Sequence, residues 1–201
     1  VDARVSVLAS GSGTNLQALL DDPVVGPAVV LVVSDRAEAK ALDRARTAGV
    51  SAMHLDPSAY GSREAHDRAL LGLLEAERIG VVCLAGYMRL LTPPVVRSYW
   101  GRLLNMHPSL LPAFPGRHAV RDALAWGVKV SGCTVHLVDE EVDHGPVIAQ
   151  TAVPVLEDDD EATLHARIQE AEHRLYPSAV RALLQDRVRL DGRRVRLTEG
   201  P

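Results

Sequence analysis

The segment "RVSVLASGSGTNLQALL", Arg4 to Leu20, sets three kinds of residue in a fixed order. An apolar run comes first, then two glycines flanking a serine, then Thr14 and Asn15 leading into a second apolar run. Residues 4–10 predict a short strand entering a tight turn, and Asn15 to Leu20 predict the opening of a helix. Such a strand, turn and helix start make an anion site, because the turn exposes backbone N–H groups and the helix dipole adds partial positive charge. The dinucleotide fingerprint G-x-G-x-x-G fails here, since Leu16 stands where the third glycine belongs. The nucleotide P-loop fails too, for want of a lysine. A single phosphate suits the stretch better, held by the Thr14 hydroxyl, the Asn15 side-chain amide and the backbone amides of Gly13 to Asn15. The bland alternative is a plain turn with Thr14 or Asn15 as helix N-cap.

The same alternation continues. AVVLVVSD (28–35) is nearly all Val and Leu, the pattern of a strand buried on both faces. Glu38 to Ala48 has helical spacing and ends at Gly49. VSAMHLD (50–56) predicts a third strand, Arg63 to Arg78 a long amphipathic helix closed by Gly80, and VVCLAG (81–86) a fourth strand. Thr92-Pro93-Pro94 starts another helix, and RLLNMH (102–107) is a fifth strand. Strand and helix in strict alternation predict an α/β fold, a parallel sheet with helices on both faces. The pattern changes after Gly116. A helix at Ala119–Trp126 precedes KVSGCTVHLVD (129–139) and PVIAQTAVPV (146–155), whose short connection EEVDHG requires antiparallel pairing. The acidic run EDDDE (157–161) suits the positive end of a long helix reaching about Leu184. VRLDGRRVRL predicts a terminal hairpin around Asp191-Gly192.

Composition narrows the function classes. The 201 residues suffice for one core, read as a single domain over 1–201. Within it, 1–100 are expected to be a phosphate-binding half, 101–185 a catalytic and cofactor-binding half and 186–201 a C-terminal tail. Apolar residues make up 47% but aromatics only 3%, so Val, Leu and Ala must build the core. A formal charge of −4 gives no support for a nucleic-acid or anionic-membrane surface. Cys83 and Cys133 lie in apolar runs, as buried reduced thiols would, which fits a reducing cytoplasm. No charged-then-apolar leader opens the sequence, and no apolar run approaches a membrane span. The expectation is a cytoplasmic protein; Val1 in place of Met suggests trimming of a few residues.

The chemistry-bearing segment is "GRLLNMHPSLLPAFPG" (101–116). Residues two apart in a strand point the same way, so Asn105 and His107 project together from a strand's C-terminal end. In open α/β sheets, ligands bind at that edge. Pro108, Pro112 and Pro115 stiffen the following loop. Asn offers an amide N–H to a developing oxyanion, and a protonated His offers a second donor. Asp143, in "EEVDHGPVIAQ", is either a turn residue or a partner that holds His107 protonated and relays protons. A metal hydrolase is disfavoured, because the eight histidines show no H-x-x-x-H or H-E-x-x-H spacing. A regulatory module using the glycine loop alone leaves Asn105, His107 and Asp143 without a purpose.

Taken together, NMHPSLLPAFPG, the HL and D-x-GPVI-Q motifs behind it and SGSGTNLQAL ahead of it resemble the folate-dependent formyltransferases. The resemblance runs to about Pro177, with several separated motifs in order. It implies a Rossmann-like formyltransferase fold and transfer of a formyl group from the co-substrate 10-formyltetrahydrofolate, with no metal. The branch it points to formylates the amine of glycinamide ribonucleotide in purine biosynthesis, so the partners it implies are these two small molecules, with a homodimer left open. By this resemblance Gly13, Thr14 and Asn15 hold the acceptor's phosphate, Glu172 meets its ribose, and Asn105, His107 and Asp143 form the catalytic trio. It also implies that Met88, Arg89, Leu90, Leu91, Arg63 and Asn105 contact the folate, that Glu140, Glu141 and Val142 with Asp143 wrap the pterin, and that His136 supports the trio. Members directed at tRNA carry an added domain and a basic face, whereas this chain is short and acidic; a sugar-amine acceptor is the nearest rival. Two departures stand out: His144 follows Asp143 where many members carry a small residue, and Cys133-Thr134 replaces a Thr-Ser-like pair.

Overall fold

The computed structural model describes residues 3–198. A seven-stranded sheet forms its centre, in the order β3-β2-β1-β4-β5-β6-β7. β1 (Val5–Leu8), β2 (Val29–Ser34), β3 (Ser51–His54), β4 (Val81–Leu84) and β5 (Leu103–His107) run parallel. β6 (Val130–Leu137) and β7 (Val147–Pro154) complete it antiparallel. Every residue of β1 and β4 is buried; β4 reads as an unbroken apolar run, and β1 does so but for Ser6, whose hydroxyl is buried with no partner among the described residues. β3 lies at the edge with three of its four residues exposed, so its sequence carries Ser51 and His54.

Helices cover both faces. Leu16 and Leu19 of α1 (Thr14–Asp21), Leu42 of α2 (Lys40–Thr47), Val120 of α5 (Ala119–Trp126) and Ile168 of α6 (Glu161–Leu184) share one apolar cluster. Leu70 and Leu74 of α3 (Arg63–Ala76) and Val96 of α4 (Pro93–Ser98) build the cluster on the other face. The chain leaves β1 for β2 on one side and later returns to β4 on the other. The strand order therefore reverses between β1 and β4, and a crevice opens at their C-terminal ends.

Two local expectations are corrected. α3 does not run to Arg78 or close at Gly80: it ends at Ala76, and Arg78 itself takes the left-handed turn (φ 51°). Gly80 instead donates its N–H to the Arg4 carbonyl, and so begins the sheet. Neither Thr14 nor Asn15 is an N-cap. Gly13 occupies that position in a left-handed conformation (φ 70°), with no side-chain cap, and Thr14 and Asn15 are the first two helical residues. Glycine is required there, because an added Cβ would lie 2.8 Å from Ala41 Cα on the next helix.

The acidic run behaves as anticipated at Asp160, which caps α6 by accepting from Thr163 N–H while Thr163 Oγ1 accepts from the Asp160 N–H. Asp159 also binds the Arg167 guanidinium and is held below the ordinary carboxylate range by it. β8 (Val188–Asp191) and β9 (Arg194–Leu197) form the terminal hairpin as an independent two-stranded sheet. Among the described residues, no helix is long and apolar enough to cross a membrane.

Candidate active site

The crevice at the strand ends is a cavity of about 660 Å³. One end is the Gly11–Asn15 turn, entered from β1. Asn105 and His107 stand on its wall at the end of β5, and Asp143 faces them from the β6–β7 loop. Met88 to Leu91, from the loop after β4, and Arg63, at the first turn of α3, line another part, with Glu140 to Val142 alongside. Glu172 enters from α6. The residues at 13–15, 63, 88–91, 105–107, 136, 140–143 and 172 therefore meet on one cavity from separate parts of the sequence, while His144, Cys83 and Cys133 do not line it.

The trio is held by carboxylate contacts on both sides. Asp143 Oδ2 lies 3.5 Å from His107 Nδ1 and accepts a hydrogen bond from Gly116 N–H at 2.7 Å. Its other oxygen, Oδ1, lies 3.5 Å from Asn105 Nδ2. Asn105 and His107 share one strand face, as their spacing requires. His107 Nε2 donates to the Phe114 carbonyl at 2.9 Å, which turns Nδ1 toward Asp143. Phe114 adopts φ 52°, so the proline-stiffened loop curls back to meet the imidazole.

His136 pairs with Asn105 across β5 and β6. Its Nδ1 donates to the Leu137 carbonyl (2.9 Å), so Nε2 is an acceptor and takes a hydrogen bond from Asn105 Nδ2 (3.1 Å). That contact fixes the Asn105 amide with its NH₂ group, not its oxygen, among His136, Asp143 and the cavity. Burial pushes His136 below the usual histidine value, against the opposing effects of its bond to Leu137 and the Asp143 charge. The neutral ring is thus the form that can accept from Asn105.

At the other end, Asn15 Nδ2 donates to Glu172 Oε2 at 2.8 Å. One of the two Asn15 amide protons is thus engaged by Glu172. The groups open to an anion are the backbone N–H groups of the first helical turn, which have no intrahelical acceptor, the Thr14 hydroxyl and the second Asn15 amide proton. Asn15 Oδ1 is buried with no partner among the described residues. Glu172 is 4% exposed, not a solvated helix face. Burial raises its pKa, with the Asn15 hydrogen bond opposing. One turn on, the Tyr176 hydroxyl lies 2.8 Å from the carbonyl of Leu84, the last residue of β4, and 3.2 Å from that of Leu104 within β5. This fixes the rotation of α6 and aims Glu172 into the cavity.

The loop after β4 is tied to the glycine turn through Ser10. Ser10 Oγ donates to Asp35 (2.5 Å) and accepts from the Met88 N–H (2.9 Å). Arg117 donates to the Met88 carbonyl at 2.9 Å. Arg36, Arg117, His165 and Gln169 also line the cavity and escaped the sequence reading. For His165 and Gln169 a signal existed: with Glu172 they fall at helical spacing on one face of α6. The cysteine thiols are not nucleophiles, since burial pushes both Cys83 and Cys133 up to about 12. Ser109 is buried and donates to the Ala113 carbonyl at 2.6 Å, a structural role. Among the described residues, no group of three or more His, Cys, Asp or Glu side chains is placed to hold a metal ion.

Comparison with known proteins places this architecture. The formyl transferase family model matches residues 3–180. Phosphoribosylglycinamide formyltransferase of Mycobacterium tuberculosis is 48% identical over 95% of the chain and 89% of its own length. The trifunctional purine biosynthetic protein adenosine-3 of Drosophila melanogaster is 49% identical over 90% of the chain, which spans only 14% of that much longer protein. The crystal structure of glycinamide ribonucleotide transformylase 1 from Symbiobacterium toebii superposes with a TM-score of 0.95 at 55% identity, covering 98% of this chain and 94% of that one. The chain belongs to the formyl transferase family.

Proposed function

We propose that the protein transfers the formyl group of 10-formyltetrahydrofolate to the amine of glycinamide ribonucleotide, giving formylglycinamide ribonucleotide and tetrahydrofolate. The observation that carries this reading is the Asp143 carboxylate spanning Asn105 and His107 on a cavity whose far end is an uncapped helix start beside Glu172. Hydrogen-bond donors and a proton acceptor converge at one end, and an anion site with a ribose-binding carboxylate lies at the other.

The residues divide the work as follows. The N–H groups of Gly13, Thr14 and Asn15 take the acceptor's phosphate, and Glu172 takes its ribose hydroxyls. Met88 to Leu91, Arg63 and the 140–143 loop hold the folate, with Arg89 and Arg63 as its cationic contacts. The acceptor amine attacks the formyl carbon; a C–N bond forms and the carbonyl oxygen gains negative charge. Asn105 Nδ2–H and a protonated His107 Nδ1 stabilise that oxygen, where losing one such donor typically costs ~10²–10³ in rate. The attacking nitrogen must lose a proton and the departing N10 must gain one. Asp143 accepts the first and returns it as the C–N10 bond breaks. Binding of the distant phosphate aligns the amine against the formyl carbon, which is why an anion turn belongs in such an enzyme.

The test is acceptor choice. With 10-formyltetrahydrofolate present, glycinamide ribonucleotide supports release of deformylated folate and a UDP-4-amino sugar does not. Turnover with the sugar alone assigns the cavity to a different amine, and loss of activity to a chelator calls for a metal.

A further inference from the structure

The loop that presents Asp143 is short, exposed and unusual in its backbone. Asp143 sits at φ 52°, a conformation that costs a non-glycine residue energy and persists where neighbouring contacts enforce it. The two ends of the loop are fixed by the sheet. Leu137 N–H donates to the Pro146 carbonyl at 2.9 Å, and Gly145 lies so close to the Leu137 carbonyl that an added Cβ would fall 1.7 Å from its oxygen. Between those ends the contacts come from outside. On one side Arg97 of α4 grips Glu140, with Nε to Oε1 at 2.6 Å. On the other side the partner is the C-terminal hairpin.

Arg193, at the turn between β8 and β9, places one guanidinium nitrogen 3.0 Å from His144 Nε2 and 3.4 Å from Nδ1. Its other terminal nitrogen donates to the His144 carbonyl. His144 Nδ1 in turn donates to Asp139 Oδ2 at 2.8 Å, and Glu141 Oε1 lies 3.9 Å away. Asp139 Oδ1 accepts from the Glu141 N–H at 3.1 Å. Arg193, His144 and Asp139 therefore form one chain across the loop, with Asp143 adjoining its central member. The hairpin is itself anchored: Val188 and Val195 pack against the core, and Thr198 N–H donates to the Arg187 carbonyl at 2.9 Å. It also lies outside the region that matches the family model, which ends at residue 180.

We infer that Arg193 is a positioning residue: through His144, the C-terminal hairpin clamps the 139–145 loop so that Asp143 stays opposite Asn105 and His107. The inference rests on the formyl-transfer reading for its kinetic consequence, but the clamp itself can be read without turnover. An exposed arginine contact adds little to global stability. Its leverage is geometric, since displacing a catalytic group by about 1 Å can cost on the order of 10²-fold in rate.

Two measurements test it on the full-length protein. In hydrogen exchange, Arg193→Ala accelerates exchange of the 139–145 amides and leaves the 11–16 amides unchanged; unchanged exchange in the loop overturns the clamp. In steady-state kinetics, Arg193→Ala lowers kcat about tenfold, an intermediate share of the cost of a full 1 Å displacement. It raises KM for the formyl folate but not for the ribonucleotide, and Arg193→Lys recovers part of the loss. In a His144→Ala background the effect of removing Arg193 shrinks, while Arg196→Ala on the same hairpin changes nothing. Wild-type rates in Arg193→Ala, or an equal loss in both backgrounds, overturn the role. If loop exchange accelerates but the wild-type protein shows no formyl transfer, the clamp stands and the proposed function falls.

Discussion

His107 Nδ1 and Asp143 Oδ2 face one another at 3.5 Å, one from the end of a central strand and the other from a loop two strands away. The backbone holds each separately: His107 by its Nε2 bond to Phe114, Asp143 by the Gly116 N–H. The pair is therefore preorganised, and a proton moved between the reacting nitrogens meets a carboxylate already in place.

Replacing that carboxylate should uncouple binding from chemistry. Asp143→Asn keeps the size of the side chain but removes the proton acceptor. It lowers kcat by about 10²–10⁴, the usual range for general acid–base groups. Binding of the ribonucleotide, measured by calorimetry, stays within a few-fold of wild type, because Asp143 contacts Asn105, His107 and Gly116 and not the glycine turn. Near-normal turnover would make Asp143 a turn residue only.

Under the proposed function, Glu172 sets the cost of burying a carboxylate against the binding of a ribose. Its pKa is raised by burial above the ordinary 4.5, so the folded protein holds this proton more tightly than the unfolded chain. The stability tied to the neutral acid is complete below 4.5 and is lost as pH rises from there through the folded value. Glu172→Gln should therefore be more stable than wild type at neutral pH and equal to it in acid, in denaturant titrations at each pH. Its KM for the ribonucleotide should rise, since the acceptor for the ribose hydroxyls is weakened.

His136 has the opposite sign. Its pKa is depressed below the ordinary 6.5, so the unfolded chain binds the proton first as pH falls. The stability tied to the neutral ring is present above 6.5 and is lost as pH falls through the folded value. His136→Gln removes that slope, and the difference in denaturation midpoint between the two proteins should shrink in acid. His136→Leu should in addition lower activity at neutral pH, because the Asn105 amide then loses the acceptor that orients it.

Gly13→Ala meets two obstacles, the left-handed φ of 70° and the Ala41 backbone at 2.8 Å. The turn must shift, at a cost above about 1 kcal/mol in stability. The kinetic loss should appear in KM for the ribonucleotide, with KM for the folate near wild type. The reverse pattern would remove the phosphate from this turn.

Much of the fold is legible in the sequence because burial on both faces writes itself as Val- and Leu-rich runs in β1, β2 and β4, interrupted within β1 only by Ser6, and because the EEVDHG link is too short for anything but an antiparallel return. The placement of Asn105 beside His107 is legible for a similar local reason, since strand parity puts both on one face, whereas no local pattern brings Asp143 to them. What local pattern does not carry is pairing at a distance. Asn15 and Glu172 lie 157 residues apart, and nothing near either one signals that the Asn15 amide is committed to a carboxylate. The end of α3 is lost for another reason, since Arg78 takes a left-handed conformation that glycine ordinarily marks. His144 is visible as an odd neighbour of Asp143, but its partner Arg193 lies on a hairpin whose sequence indicates only a turn.

The most direct measurement follows the one-carbon unit itself. With 10-formyltetrahydrofolate labelled with ¹³C in the formyl group and glycinamide ribonucleotide as acceptor, NMR should show the label passing to the ribonucleotide's new formamide, one for each tetrahydrofolate formed. Label appearing as free formate, with the ribonucleotide unchanged, would mean that water is the acceptor and would contradict formyl transfer at Asn105, His107 and Asp143.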